Sequence, residues 1–257
     1  MAEIDPVMIT VYFLVGIAAS MLGSMSGLGG GFIAIPTLLY LGVAPQIVVG
    51  SSKFMVLVNS LVSTFRYSRK IRLPMKLYLA VIIPMIVTAY LGAFLAAVLP
   101  SNTLMLAVGL ILLAGSIKMI LPSKRKASGE VENVEGRRNY VKAFLSGGLA
   151  GIVAGISGLG GGIVNVPVFI YILKLNPHLA VSMSMACIAP SAVSSVVRHL
   201  IDNLIDWEIA VPLSAGALIG GWIGPRIALG FKKETLKRVI GIVIAAAALR
   251  IIIAALL

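Results

Sequence analysis

The chain has 257 residues, of which 59% are hydrophobic and 12% charged, and it carries a formal net charge of +12. Apolar runs of spanning length exclude a water-soluble domain and predict a polytopic membrane protein. The basic residues cluster between those runs without interleaved aromatics, so they mark membrane orientation and not a nucleic-acid surface.

The leader Met1-Ala2-Glu3-Ile4-Asp5-Pro6 is acidic, so the first run, 7–25, reads as a retained helix and not as a secretory signal. It ends in Ser26-Gly27-Leu28-Gly29-Gly30-Gly31, with Pro36 five residues on. Segments follow at 31–43, 46–66, 75–99 and 103–121, bounded by charges, Pro and Gly. A charged stretch with Lys124-Arg125-Lys126, three glutamates and Arg137-Arg138 reads as a solvated linker. Beyond it lie segments 141–157, 162–173, 178–199, 207–229 and 236–257, and the glycine motif returns as Ser157-Gly158-Leu159-Gly160-Gly161-Gly162 with Pro167. Gly27 matches Gly158, and after one extra residue Pro45 matches Pro177, Arg66 matches Arg198 and Gly109 matches Gly241. The organisation expected is a first membrane repeat over 1–121, a linker over 122–140 and a second repeat over 141–257.

The charge clusters predict topology. Arg66, Arg69, Lys70, Arg72 and Lys76, then the linker, then Arg226, Lys232, Lys233, Lys237 and Arg238 place three loops in the cytoplasm. The acidic N-terminus, the loop with Asp202, Asp206 and Glu208 and the C-terminus then face outward. The loops after Arg66 and Arg198 fall on opposite sides, so the fold class expected is all-α with two inverted-topology repeats and a site near the midplane. Segments 31–43 and 162–173 are too short to span as straight helices. Two arrangements fit: re-entrant hairpins whose glycine tips approach each other, which we favour, or tilted crossings with the motif nearer a surface.

A glycine break exposes backbone groups that lipid cannot satisfy, so it is tolerated only where protein or a watery cavity covers it. The helices beginning at Phe32 and Ile163 turn free N–H groups toward the breaks, and two such ends would favour an anion. Candidate binding residues are therefore Ser26, Gly27, Gly29, Gly30 and Gly31 with Ser157, Gly158, Gly160, Gly161 and Gly162; the alternative is close helix packing alone. Further hydroxyls lie at Ser24, Ser51, Ser52, Ser182 and Ser184. All nine acids fall in termini or loops, which leaves no buried carboxylate for a cation relay. Lys53, two turns into its segment, either contributes an ammonium to the site or snorkels to the interface. Asn59 and Ser63 share a helical face, as do Ser191 and Ser195, and each pair leads toward Arg66 or Arg198. These four are read as a pathway lining with arginines at its mouths or as interhelical hydrogen bonds. Asn59 and Ser191 are assigned to binding, and Ser63, Arg66, Ser195 and Arg198 to pathway or gate. Pro190, with Val58 at the corresponding place in the first half, is expected to kink its helix or free a carbonyl, and is a candidate gate.

Three other motifs carry less. Gly155-Ile156-Ser157-Gly158 matches the G-x-S-G of intramembrane serine proteases, but the first copy reads Ser24-Met25-Ser26-Gly27 and His178 and His199 lie near segment ends. The glycines lack a phosphate-loop Lys-Ser/Thr, and two histidines without cysteine or buried acid partners make no metal site. Cys187 reads as a small apolar packing residue. Neither a catalytic residue nor a cofactor is expected.

The duplicated Ser-Gly-Leu-Gly-Gly-Gly-x4-Pro, with a proline opening and an arginine closing the third segment, resembles the TauE/SafE family, the sulfite exporters, over essentially the whole chain. The resemblance implies a multipass transporter of small anions, with sulfite, sulfonates and related sulfur compounds as substrate class. Its motif positions here are Gly27, Gly29, Gly30, Gly31 and Pro36, and Gly158, Gly160, Gly161, Gly162 and Pro167. The partners expected are a small anionic substrate and the lipid bilayer, with a homodimer allowed; an anion channel on the same scaffold is the rival mechanism.

Overall fold

A computed structural model describes residues 6–120 and 137–230, together with positions 242, 245, 246, 248, 249, 251–253 and 255. Among these residues the chain is helical, without a strand. The first half comprises α1 (Pro6–Ser26), α2 (Gly31–Tyr40), α3 (Pro45–Ser68), α4 (Met75–Val98) and α5 (Ser101–Ile120). The second comprises α6 (Arg137–Ser157), α7 (Gly162–Pro167) with a π-helical turn (Val168–Ile172), α8 (Pro177–Ile201) and α9 (Trp207–Ala228). Helix α6 begins at Arg137, so four residues read from sequence as linker are helical. Most of the expected segment 236–257, the linker charges before Arg137, Lys232, Lys233, Lys237, Arg238, Glu3 and Asp5 lie outside the described residues.

Local chemistry sets these boundaries. Pro45 and Pro177 occupy first-turn positions of α3 and α8, where a missing N–H costs nothing and φ is already helical. Asn176 caps α8 by accepting from Leu179 N–H at 2.8 Å, and Asp206 caps α9 by accepting from Glu208 N–H at 2.9 Å. Helix α2 starts after Gly30, whose φ of 97° is left-handed. Its 10 residues reach about 15 Å, half of a ~30 Å hydrocarbon core.

Among the described residues, five helices are long and apolar enough to cross a membrane: Pro6–Ser26, Pro45–Ser68, Met75–Val98, Asn139–Ser157 and Pro177–Ile201. Their packing repeats with the halves exchanged. Helix α1 lies along α9 as α6 lies along α4, and α3 contacts α9 as α8 contacts α4. Helices α3 and α8 also pack on each other. Glycine permits the closest approaches at corresponding places: a Cβ at Gly16 would collide with the Leu213 backbone, and one at Gly147 with that of Val81. The buried core runs through Phe32, Ile35, Met55 and Val56 to Leu159, Met183 and Ile188. Its outer faces carry exposed Leu61, Phe65, Ile83, Leu91, Leu149 and Val193, as a lipid-facing surface requires.

Candidate functional site

The two glycine breaks are the turns between α1 and α2 and between α6 and α7, and they touch. A Cβ on Gly31 would lie 2.9 Å from the Gly158 carbonyl oxygen and 3.0 Å from Leu159 Cα. On Gly162 it would lie 2.6 Å from Leu28 Cα and closer still to the Gly27 oxygen. The two tips are thus in direct contact. Left-handed φ values of 91° and 97° at Gly29 and Gly30, and 91° and 78° at Gly160 and Gly161, turn the chain sharply enough to admit this approach. Val56 and Ile188, counterparts in α3 and α8, close the space beside them. A Cβ on Gly29 would meet Val56 Cγ1 at 3.1 Å and Ile188 Cδ1 at 3.6 Å, and one on Gly160 would meet both at 3.0 Å.

Hydrogen bonding at the tips is one-sided. Ser184 Oγ donates to the Gly27 carbonyl at 2.7 Å, and Asn59 Nδ2 donates to the Gly29 carbonyl at 2.9 Å. The buried N–H groups of Gly30, Gly31, Gly160, Gly161 and Gly162 have no acceptor among the described residues. Buried donors left without acceptors are costly. The donors at the tips therefore outnumber the acceptors, and this leaves the region between them electropositive.

Lys53 belongs to this environment. It is 0% exposed, and its ammonium donates to the Ala154 carbonyl at 2.8 Å, at the end of α6 just before the second tip. Snorkelling is thus ruled out, because the stem runs inward. Ser63 Oγ lies 3.1 Å from Asn59 Oδ1 and 3.2 Å from the Gly221 carbonyl, so the first pair forms one network that reaches the tip through Asn59. The second pair does less: Ser191 Oγ donates to Ile188 at 2.9 Å, and Ser195 Oγ to the Ala89 carbonyl at 3.2 Å. Ser26 and Ser157 turn back onto their own helices, donating to Leu22 and Val153. Their hydroxyl protons are not presented to the space between the tips.

The two arginines differ. Arg66 lies over the Trp222 ring at 4.5 Å, in a cluster with Arg69 and Arg226 that has no acidic partner among the described residues. Arg198 donates from Nε to Asp202 at 2.8 Å and lies 5.0 Å from the Phe94 ring centroid, so its charge is already balanced. Pro190 sits inside an unbroken α8. The carbonyl it leaves free, Ala186, accepts from Tyr78 OH at 3.4 Å. Pro225 does the same for Gly221, the carbonyl that Ser63 reaches.

Sequence reasoning did not select several residues that the structure places here. Ser184 appeared only among available hydroxyls. Tyr67, which donates to the Ser24 carbonyl at 2.9 Å, and the wedge of Val56 and Ile188 carried no polar or motif signal; only their matching positions in the repeat marked them. The serine of the G-x-S-G match, Ser157, donates to the backbone of its own helix, and neither nitrogen of His199 has a partner. Groups of metal-ligating side chains are absent among the described residues.

Comparison with known proteins agrees with this architecture. The chain is 26% identical over 255 residues to the probable membrane transporter protein YunE of Bacillus subtilis, covering 91% of this chain and 93% of that protein. It is 31% identical over 206 residues to a probable membrane transporter protein of Methanocaldococcus jannaschii, covering 77% and 73%. A third, from Xylella fastidiosa and also named a probable membrane transporter protein, is 28% identical over 245 residues, covering 93% and 91%. These relatives are named as transporters, not enzymes, and no solved structure matches the chain. Residues 12–251 match the sulfite exporter TauE/SafE family, and with its paired glycine tips and apolar helices the chain belongs to that family of multipass membrane proteins.

Proposed function

We propose that this protein carries a small anion across the cell membrane by alternating access, with sulfite, a sulfonate or a related organosulfur compound as substrate. The observation that carries the reading is the pair of touching glycine tips with buried, unpaired N–H groups and the buried Lys53 ammonium beside the second tip. Each helix end contributes only ~0.3–2 kcal/mol toward an anion, so the lysine and the Asn59 network supply the remaining polarity. Ser157 and Ser191 join the site when the tips part, as does Ser26.

The halves act as inverted repeats, with the first hairpin entering from outside, the second from the cytoplasm, and the tips near the midplane. The termini lie outside and the linker is cytoplasmic. The cluster of Arg66, Arg69 and Arg226 then stands at the cytoplasmic mouth as an anion collector, whereas Arg198, paired with Asp202, marks the outer mouth without a comparable field. Val56 and Ile188 seal the tips in this state, and exchange between states loosens one side at a time. Uptake of labelled sulfite, sulfate and a small sulfonate by proteoliposomes, with the Gly29→Ala/Gly160→Ala double variant as control, tests the reading. Selective uptake lost in the variant supports it; absence of uptake of every sulfur anion by folded wild type removes the substrate class.

A further inference from the structure

The repeat sets an arginine on an aromatic ring in each half, and the two copies differ in what surrounds it. At the offset of 132 residues that pairs Pro45 with Pro177, Arg66 and Trp222 correspond to Arg198 and Tyr90, and Arg226 corresponds to Phe94. Arg198 lies 5.9 Å from the Tyr90 ring centroid and 5.0 Å from that of Phe94, and Asp202, one turn on, neutralises it. In the first half the place of Asp202 is held by Lys70, and that of Ile201 by Arg69. Arg66 and Arg226 stand over one indole, 4.5 and 5.9 Å from the Trp222 centroid, and Arg69 lies 4.5 Å over Phe65. The Phe65 and Trp222 rings stack at 6.4 Å, so three guanidiniums share a single two-ring platform. None of them has an acidic partner among the described residues. A ring holds a guanidinium by its face and leaves the N–H edge for a further acceptor.

The platform continues into an apolar strip. Leu61 and Phe65 precede Arg69 on α3, and Leu218 and Trp222 precede Arg226 on α9, each at a four-residue spacing that keeps them on one helix face. Helices α3 and α9 pack on each other, and Leu61, Phe65 and Leu218 are exposed. We infer that this end of the α3–α9 face binds an anionic phospholipid, its phosphate taken by Arg66, Arg69 and Arg226 and its acyl chain laid along Leu61, Phe65 and Leu218. Charge complementarity and the order of basic then apolar surface select this occupant. Basic side chains between membrane helices match a phosphate headgroup, and one guanidinium edge takes two phosphate oxygens at once. A soluble anion would engage the guanidiniums and leave the adjoining apolar strip without a role. A single phosphate leaves the cluster net positive, so the field of the arginines persists beside the bound lipid. The corresponding end of the α8–α4 face has the rings without the free charge, and the second half therefore offers no equivalent site.

Trp222 lies within the site, whereas the other tryptophan, Trp207, begins α9 at its opposite end, so fluorescence in a Trp207→Phe background reads the site directly. The protein is reconstituted into phosphatidylcholine vesicles that contain, as a minor component, either phosphatidylglycerol or phosphatidylcholine with brominated chains, whose bromines quench nearby indoles. Phosphatidylglycerol is expected to associate at Trp222 at least about fivefold more strongly than phosphatidylcholine, the effect of one engaged arginine. Lys70→Asp copies the Asp202 arrangement at an exposed position and should lower that preference by a factor of about two or more, as an exposed pair one turn apart does. Arg66→Gln/Arg69→Gln/Arg226→Gln should bring it close to one. Equal association of the two lipids in the folded Trp207→Phe protein, or an unchanged preference in the folded triple variant, overturns the inference. So does an equal preference at Trp207, read in Trp222→Tyr, which would report attraction to the whole protein and not to this face. Loss of the preference on adding inorganic phosphate at fixed ionic strength assigns the arginines to a free anion and overturns it as well. If the triple variant does not fold, Lys70→Asp and the phosphate competition decide.

Discussion

Contact between the glycine tips is tested most sharply by Gly162→Ala. Gly162 begins α7 with a helical backbone, so alanine introduces no conformational strain there and has the better helix propensity. The entire penalty comes from the neighbouring hairpin: the new methyl would lie 2.6 Å from Leu28 Cα and nearer still to the Gly27 oxygen. To reach ordinary contact the tips must part by about 1 Å, and overpacking of this kind costs ~1–3 kcal/mol. Gly42→Ala is the matched control. Its φ is +82° with nothing within 4 Å of a Cβ, so it carries ~1–2 kcal/mol of backbone strain and no crowding. Thermal unfolding in detergent and uptake by proteoliposomes are measured for both. Comparable losses of stability are expected, with uptake lost only in Gly162→Ala. If Gly162→Ala unfolds and transports like wild type, the tips do not meet as described; if Gly42→Ala abolishes uptake equally, the effect reports stability and not the tip contact.

Other substitutions probe the polar frame. Lys53→Met installs the residue found at the equivalent position, Met185, and removes a buried charge whose desolvation costs ~2.5–3.5 kcal/mol at a bilayer centre, against ~1.5–3 kcal/mol for its hydrogen bond. Ala154 retains the Gly158 N–H as donor at 3.2 Å, so thermal stability should be unchanged or higher while anion uptake falls at least tenfold; a variant with full uptake would remove Lys53 from the site. Asn59→Leu strips the Gly29 carbonyl of its side-chain donor and should lower unfolding free energy by ~1–3 kcal/mol, with Ser63→Ala costing less because Ser63 reaches the tip only through Asn59. Equal effects in denaturant titrations would contradict that order. Neutralising Arg66 and Arg226 together should slow uptake at low salt and matter little at high salt, as screening predicts. A salt-independent deficit would mean that the arginines act through packing on Trp222 and not through their field.

Much of the architecture was legible in the amino-acid order because membrane insertion imposes one-dimensional constraints. Uncharged runs had to become helices, Pro45 and Pro177 had to open them, and repeated glycines had to interrupt them; the observed helices begin and end within a few residues of those expectations. The breaks also pointed to unpaired backbone donors, since glycine and a helix start together expose N–H groups. Long-range placement is different in kind. Whether Lys53 ran outward or inward depended on the Ala154 carbonyl, 101 residues away. Whether Ser26 and Ser157 presented their hydroxyls depended on competition with their own helix carbonyls, which the helices won. Pro190 was expected to kink its helix or free a carbonyl; α8 stays continuous, and Tyr78 from α4 answers the freed carbonyl of Ala186. The wedge of Val56 and Ile188, and the unpartnered imidazole of His199, were set by which helices pack together. The order of residues determined that this is a duplicated, glycine-broken helical membrane protein with donors at its breaks. Only tertiary packing decided that the breaks meet, which side chains satisfy them, and which polar groups remain unpaired, because a buried hydrogen bond depends on the neighbours that three dimensions bring within reach.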